Sequence, residues 1–140
     1  MKCAYRNCRG ETDKYATLES DDGNGNIRKE TVPVCDGCVA VYLTSLVERY
    51  KSLRKVCVSI LCYGLAAIIL PALIFEIMRL PAYILCPVIA AVFIPLTVIF
   101  RRKEIECGND LIDGNLEKYR AKAALAAMEE ENGIKYSIPK

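Results

Sequence analysis

Two long apolar stretches dominate the pattern of this chain. Residues 56–75 (VCVSILCYGLAAIILPALIF) are twenty uncharged positions and residues 80–100 (LPAYILCPVIAAVFIPLTVIF) are twenty-one. At about 1.5 Å per residue, a helix over either one covers the roughly 30 Å hydrocarbon core of a bilayer. Only Glu76, Ile77, Met78 and Arg79 separate them, so the pattern predicts two antiparallel membrane helices in a tight hairpin. Glu76 and Arg79 stand three apart and can pair across the turn, and Pro81 falls where a helix start tolerates proline. Pro71, Pro87 and Pro95 remove backbone donors and are expected to kink the spans. Gly64, Ala66 and Ala67 offer a small-residue surface for close helix contact.

Outside these stretches the periodicity changes. Residues 14–19 and 27–32 read as strands on either side of residues 21–26 (DDGNGN), and Pro33 closes the second. Asp21, Asp22 and Asn24 read as part of that turn and not as a calcium site. Val39, Tyr42, Leu43, Leu46, Val47, Tyr50 and Leu53 recur at steps of three and four, which predicts a helix leading into the first span. After the second span, residues 107–110 (CGND) read as a break. A further helix is expected from about residue 115 to 131, with Gly133 as its stop. Its apolar face is Leu116, Tyr119, Ala123, Ala126 and Ala127. That face either packs on the 39–53 helix to complete one head or docks a partner. The alternation in residues 134–138 predicts a short edge strand. The fold class is therefore a mainly α membrane protein, a two-helix transmembrane hairpin with a small α+β head. Residues 1–55 form the head and juxtamembrane helix, 56–100 the hairpin, and 101–140 the C-terminal helix and tail.

Charge sets the orientation. Arg49, Lys51, Arg54 and Lys55 precede the first span, and Arg101, Arg102 and Lys103 follow the second, whereas the turn carries only Arg79. The positive-inside rule then places both termini in the cytosol, and the same basic flanks can meet anionic lipid headgroups. The N-terminus, MKCAYRNCRG, lacks the apolar core of a secretory signal, so the spans are expected to direct insertion themselves. On compactness, a bacterial inner membrane is favoured over an endomembrane. The whole chain has a formal net charge of +2, and neither polar part is basic enough to predict a nucleic-acid partner. No acidic, basic or amide side chain lies inside either apolar window, with Ser59, Thr97 and the tyrosines the polar exceptions, which argues against an ion path through the spans.

Eight cysteines and no histidine narrow the chemistry. The absence of histidine removes the usual general base, the Ser-His and Cys-His pairs, and any Cys₂His₂ metal site. Cys3-x4-Cys8 and Cys35-x2-Cys38 form two pairs, and each can place two thiolates on one metal ion. A cytosolic head argues against disulfides. Four thiolates suit zinc or iron, and unligated cysteines are the remaining reading. A head this small buries little core, so a metal explains how it folds. Cys57, Cys62 and Cys86 are expected to pack as small apolar residues in the spans, and Cys107 is a juxtamembrane candidate for acylation.

The order of knuckle, hairpin, and helix carrying the second pair in its first turn resembles a treble-clef or zinc-ribbon finger over roughly residues 3–50. The first pair has four intervening residues where such fingers usually have two. The resemblance implies that Cys3, Cys8, Cys35 and Cys38 are structural zinc ligands. Nothing in the sequence assembles into an active site or points to a small-molecule substrate. The expected function is a non-enzymatic, membrane-anchored zinc-binding adaptor or scaffold, with lipid and a protein partner or a second copy of itself as its contacts. Two alternatives stand beside it: a small oligomeric membrane effector or pore with a zinc-stabilised head, and a thiol or iron redox protein.

Overall fold

The computed structural model describes residues 1–5, 8–21, 27–132 and 136–139, with Asp21, Met78 and residues 130–132 described by their backbone only. The predicted turn at residues 22–26, the stop at Gly133 and the first two residues of the predicted edge strand lie outside the described residues. Strand β1 is Tyr15–Asp21 and β2 is Ile27–Pro33. Helix α1 is Asp36–Ile74, a 3-10 turn follows at Glu76–Met78, α2 is Arg79–Ile112, α3 is Glu117–Asn132, and β3 is Tyr136–Ser137. The chain divides into two compact units. One joins Met1–Ser45 to Gly108–Lys140 and the other is Leu46–Cys107.

The first unit is built on an antiparallel sheet of order β2-β1-β3. Tyr15 lies opposite Pro33 and Asp21 opposite Ile27, so the two strands pair along their whole length. Ser20 pairs with Tyr136 at the other edge. Alternation along β1 turns Ala16, Leu18 and Ser20 inward, and all three are buried together with Val32 and Val34. Val39 and Leu43, one turn apart near the start of α1, are fully buried as well. Helix α3 covers β1 and β3 with Tyr119, Ala123, Ala124 and Ala127 buried. That face therefore packs on the sheet, and Arg120 of the same helix reaches Asp36 at the start of α1. Alanines make this face shallow, which lets a helix lie close on a small sheet.

The break expected at residues 107–110 is absent. Helix α2 runs through Gly108 to Ile112, and the chain turns at Gly114, whose φ of 70° suits a residue without a Cβ. There the Asn115 N–H donates to the Asp110 carbonyl at 2.9 Å, and the Tyr119 hydroxyl to the Asp110 carboxylate at 2.6 Å. A glycine inside a helix costs only about 1 kcal/mol, whereas Asp113-Gly114 supplies the turn chemistry and the left-handed cap.

The second unit is a helical hairpin. Helices α1 and α2, 39 and 34 residues long, are both long and apolar enough to cross a membrane. Their half-buried positions fall on one stripe each. On α1 the stripe includes Tyr50, Arg54, Leu61 and Ile68, and on α2 Cys86, Phe93, Phe100 and Glu104. The remaining faces expose Val56, Ile60, Leu70, Ile84, Val92 and Ile99 among many others. The Tyr50 and Phe100 rings stack at 6.4 Å, Arg54 Nη2 donates to Glu104 Oε1 at 3.4 Å, and Arg54 Nε faces Glu104 Oε2 at 3.0 Å as an ion pair. Both helices run unbroken through Pro71, Pro87 and Pro95. Gly64 is not a close-contact point within the chain, since a Cβ added there would meet nothing within 4 Å, and Ala66 and Ala67 are exposed. The Glu76–Arg79 pair forms at 3.8 Å and is exposed.

Candidate metal centre

The first knuckle is shaped by two short-range bonds. The Cys3 N–H donates to the Gly10 carbonyl at 3.1 Å, and the Cys8 N–H to the Tyr5 carbonyl at 2.9 Å. Ala4 N–H donates to the Pro33 carbonyl at 2.8 Å, which fastens this loop to the end of β2. The second knuckle is the entry to α1. Cys35 caps the helix, its carbonyl accepting from Val39 N–H at 3.2 Å, and Cys38 sits in the first turn. A helix N-terminus presents free N–H groups and the positive end of its dipole, which favours thiolate over thiol.

The four sulfurs converge. Cys3 Sγ lies 3.6 Å from Cys38 Sγ, and Cys8 Sγ 3.5 Å from Cys35 Sγ, so each close contact joins one knuckle to the other. All four lie within 4.8 Å of one another. A tetrahedral zinc site with bonds of about 2.3 Å has sulfur–sulfur edges of about 3.8 Å, so the donor set fits a tetrahedral thiolate-binding ion. None of the eight cysteines is in a disulfide. The Cys35 N–H points at Cys3 Sγ at 3.5 Å, a bond that stabilises a ligating thiolate. Burial first, then the neighbouring Cys35, Cys8 and Cys3 thiols, push the Cys38 thiol far above its ordinary range. A divalent cation held by these four sulfurs would reverse that preference, because its charge would stabilise the thiolates directly.

Charged residues absent from the sequence reading hold the second knuckle in place. Arg120 of α3 is buried, with 2% of its surface exposed. Its Nη1 donates to the Val34 carbonyl at 2.5 Å, its Nη2 to Asp36 Oδ1 at 2.5 Å, and Nε and Nη2 grip both Glu117 oxygens at 3.1 and 2.8 Å. Lys14 Nζ reaches the other Asp36 oxygen at 2.7 Å. The bond from Lys14, followed by that from Arg120, holds the Asp36 carboxyl below its ordinary value. Arg120 does the same to Glu117, and the two carboxylates raise Arg120 in return. On the first knuckle, the Tyr5 hydroxyl donates to the Ala123 carbonyl at 3.1 Å. One available signal for Arg120 was Glu117 three residues before it, a spacing that pairs side chains on a helix.

The seven basic residues of the flanks separate into two groups. Arg54 pairs with Glu104, and Lys103 with Glu106 at 3.1 Å. Arg49, Lys51, Lys55, Arg101 and Arg102 are exposed and make no ion pair among the described residues. Cys57 is buried, Cys86 half-buried and Cys62 exposed, while Cys107 is 4% exposed, which withdraws its thiol from the acylation suggested by its position. Comparison of the chain with protein-family models, with curated proteins and with solved structures found no match.

Proposed function

We propose that this chain is a membrane-anchored, zinc-binding adaptor, in which a hairpin of two spans holds a metal-stabilised head at the cytosolic face for protein interaction or assembly. The observation that carries the reading is the convergence of four thiols from two knuckles at tetrahedral spacing. The charged side chains around them are engaged in holding the head together, linked in the order Lys14, Asp36, Arg120, Glu117. That pattern supports a structural metal and a rigid presenting surface in preference to a reactive centre.

Membrane insertion is supported by exposure. The most apolar windows of α1 and α2 are 11% and 0% buried, whereas a soluble protein buries such faces. Chain order supports two crossings. Residues 1–45 and 108–140 form one unit although both apolar helices lie between them, and an even number of crossings returns the chain to the side it left. Thr97, the polar residue on the second span's stripe, donates to its own Phe93 carbonyl at 2.8 Å, so it offers no polar lining for a pore.

The test is elemental analysis of detergent-purified protein beside a Cys35→Ser/Cys38→Ser variant, followed by crosslinking of both in cells. Stoichiometric zinc, with crosslinked partners lost from a variant that still fractionates with membranes, is the expected result. Partners that persist on the variant would remove the adaptor role from the head. Stoichiometric iron with visible absorbance would reassign the site to electron transfer.

A further inference from the structure

Helix α3 is fastened to both halves of the metal centre. Tyr5, between Cys3 and Cys8, bonds the Ala123 carbonyl. Arg120, one helical turn earlier, bonds the Val34 carbonyl and the Asp36 carboxylate, the residues on either side of Cys35. The two anchors therefore reach two knuckles that are more than twenty residues apart in sequence and meet at the thiol cluster. Val34 is fixed from the other side too, its N–H donating to the Lys14 carbonyl at 3.0 Å. Resting on the metal-binding reading above, we propose that Arg120 is a positioning residue that couples metal occupancy to docking of α3, so that the head's C-terminal helix is held in place only when the centre is loaded.

The physical argument is reciprocity. Metal binding fixes the knuckles against each other, and only then do Arg120 and Tyr5 find their acceptors in one register. Docked α3 in turn holds the backbone around Cys35 in the ligating geometry. By linkage, the factor by which metal favours docking equals the factor by which docking favours metal. Arg120 is suited to the task because its guanidinium is buried and planar, with its bonds divided between the knuckle and Glu117 on its own helix. Outer partners of this kind typically change metal affinity by about tenfold to a hundredfold.

The experiment uses full-length protein in detergent with cobalt(II) as the spectroscopic probe. Hydrogen exchange of residues 117–132 is compared with and without cobalt in the wild-type chain. Cobalt affinity and the ligand-field spectrum are then measured for Arg120→Met and Arg120→Lys. The expected results are faster exchange in α3 on chelation with residues 56–100 unchanged, and cobalt affinity lowered about tenfold or more in Arg120→Met. An altered band shape at saturation is also expected, with part of the loss recovered in Arg120→Lys. Unchanged exchange in a wild-type chain that binds cobalt would overturn the coupling and leave the metal site standing. An unaltered affinity and spectrum in Arg120→Met would overturn the role of Arg120. A wild-type chain that binds no cobalt would overturn the metal reading and this proposal together.

Discussion

At the scale of single residues, the metal centre and its clamp differ in how far the sequence announced them. Cys35-x2-Cys38 is a local signal, because a helix start fixes where two thiols at that spacing point. The wider Cys3-x4-Cys8 pair was also readable, since loop closure by the Cys3-to-Gly10 bond needs only neighbouring residues. For Arg120 only the pairing with Glu117 was readable, and its reach to the second knuckle was not. Its acceptors Val34 and Asp36 stand 86 and 84 positions away, and no local pattern encodes a contact of that separation. Its chemistry gives a pH prediction. The Arg120 bond keeps Glu117 ionised below the ordinary carboxylate value of 4.5. A group with a lowered folded pKa stabilises the fold above its unfolded value, and that contribution fades as pH falls through the folded one. Wild-type protein should therefore melt above Glu117→Gln at pH 7, and the gap should close as pH falls below the ordinary glutamate value. A gap independent of pH would show that the carboxylate charge is not what holds Arg120.

Among the elements, β1, β2, the two long helices and α3 fall where periodicity placed them, while the end of α2 does not. The break was expected at residues 107–110, and the backbone turns instead at Gly114. Gly114 takes a positive φ with open space around it, so strain alone opposes a side chain there. Gly114→Ala should destabilise the head by about 1 kcal/mol, and Gly114→Asn by less. Thermal melts of the metal-loaded protein check both, and an unaffected alanine variant would mean that the turn has an alternative conformation. In the hairpin, the Arg54–Glu104 pair sits on the half-buried stripe with side chains 32% and 19% exposed. Its value lies between that of exposed pairs, at about 0.5 kcal/mol, and buried ones. Glu104→Gln should lower the hairpin's melting temperature in detergent more than the double replacement Arg54→Met/Glu104→Leu, because the single change strands a charge. The reverse order would show that the pair adds net stability over apolar packing.

For the whole molecule, the charge distribution predicts a lipid preference. The five exposed cations of the flanks that make no ion pair among the described residues, Arg49, Lys51, Lys55, Arg101 and Arg102, fall at one end of the apolar windows, within about 11 Å along each helix at 1.5 Å per residue. The opposite end carries the neutralising Glu76–Arg79 pair. Cations near an anionic surface are each worth about 1 kcal/mol and are screened by salt. Chain reconstituted in nanodiscs containing phosphatidylglycerol should be more stable than in phosphatidylcholine alone. The difference should shrink in Lys55→Gln/Arg101→Gln/Arg102→Gln. Equal stability in both lipids would mean that the cations act only in orienting insertion. Reporter fusions at Met1 and Lys140 should both score cytosolic, and reporters on opposite sides would sink the two-span topology.

That the head is assembled from chain on both sides of the hairpin bears on how the protein is made. The ribosome delivers all four thiols first, then both apolar helices, and only at the end Arg120 and the rest of α3. If the chain crosses the bilayer twice as proposed, a nascent chain can gather its ligands early but cannot finish its head until the second apolar helix has returned it to the starting side. A copy that inserts with its two ends across the bilayer from each other leaves the sheet without its covering helix, Val34 and Asp36 without their arginine, and an apolar face open to chaperones and proteases. On the proposed topology, correct insertion and completion of the head would thus be a single event in biogenesis.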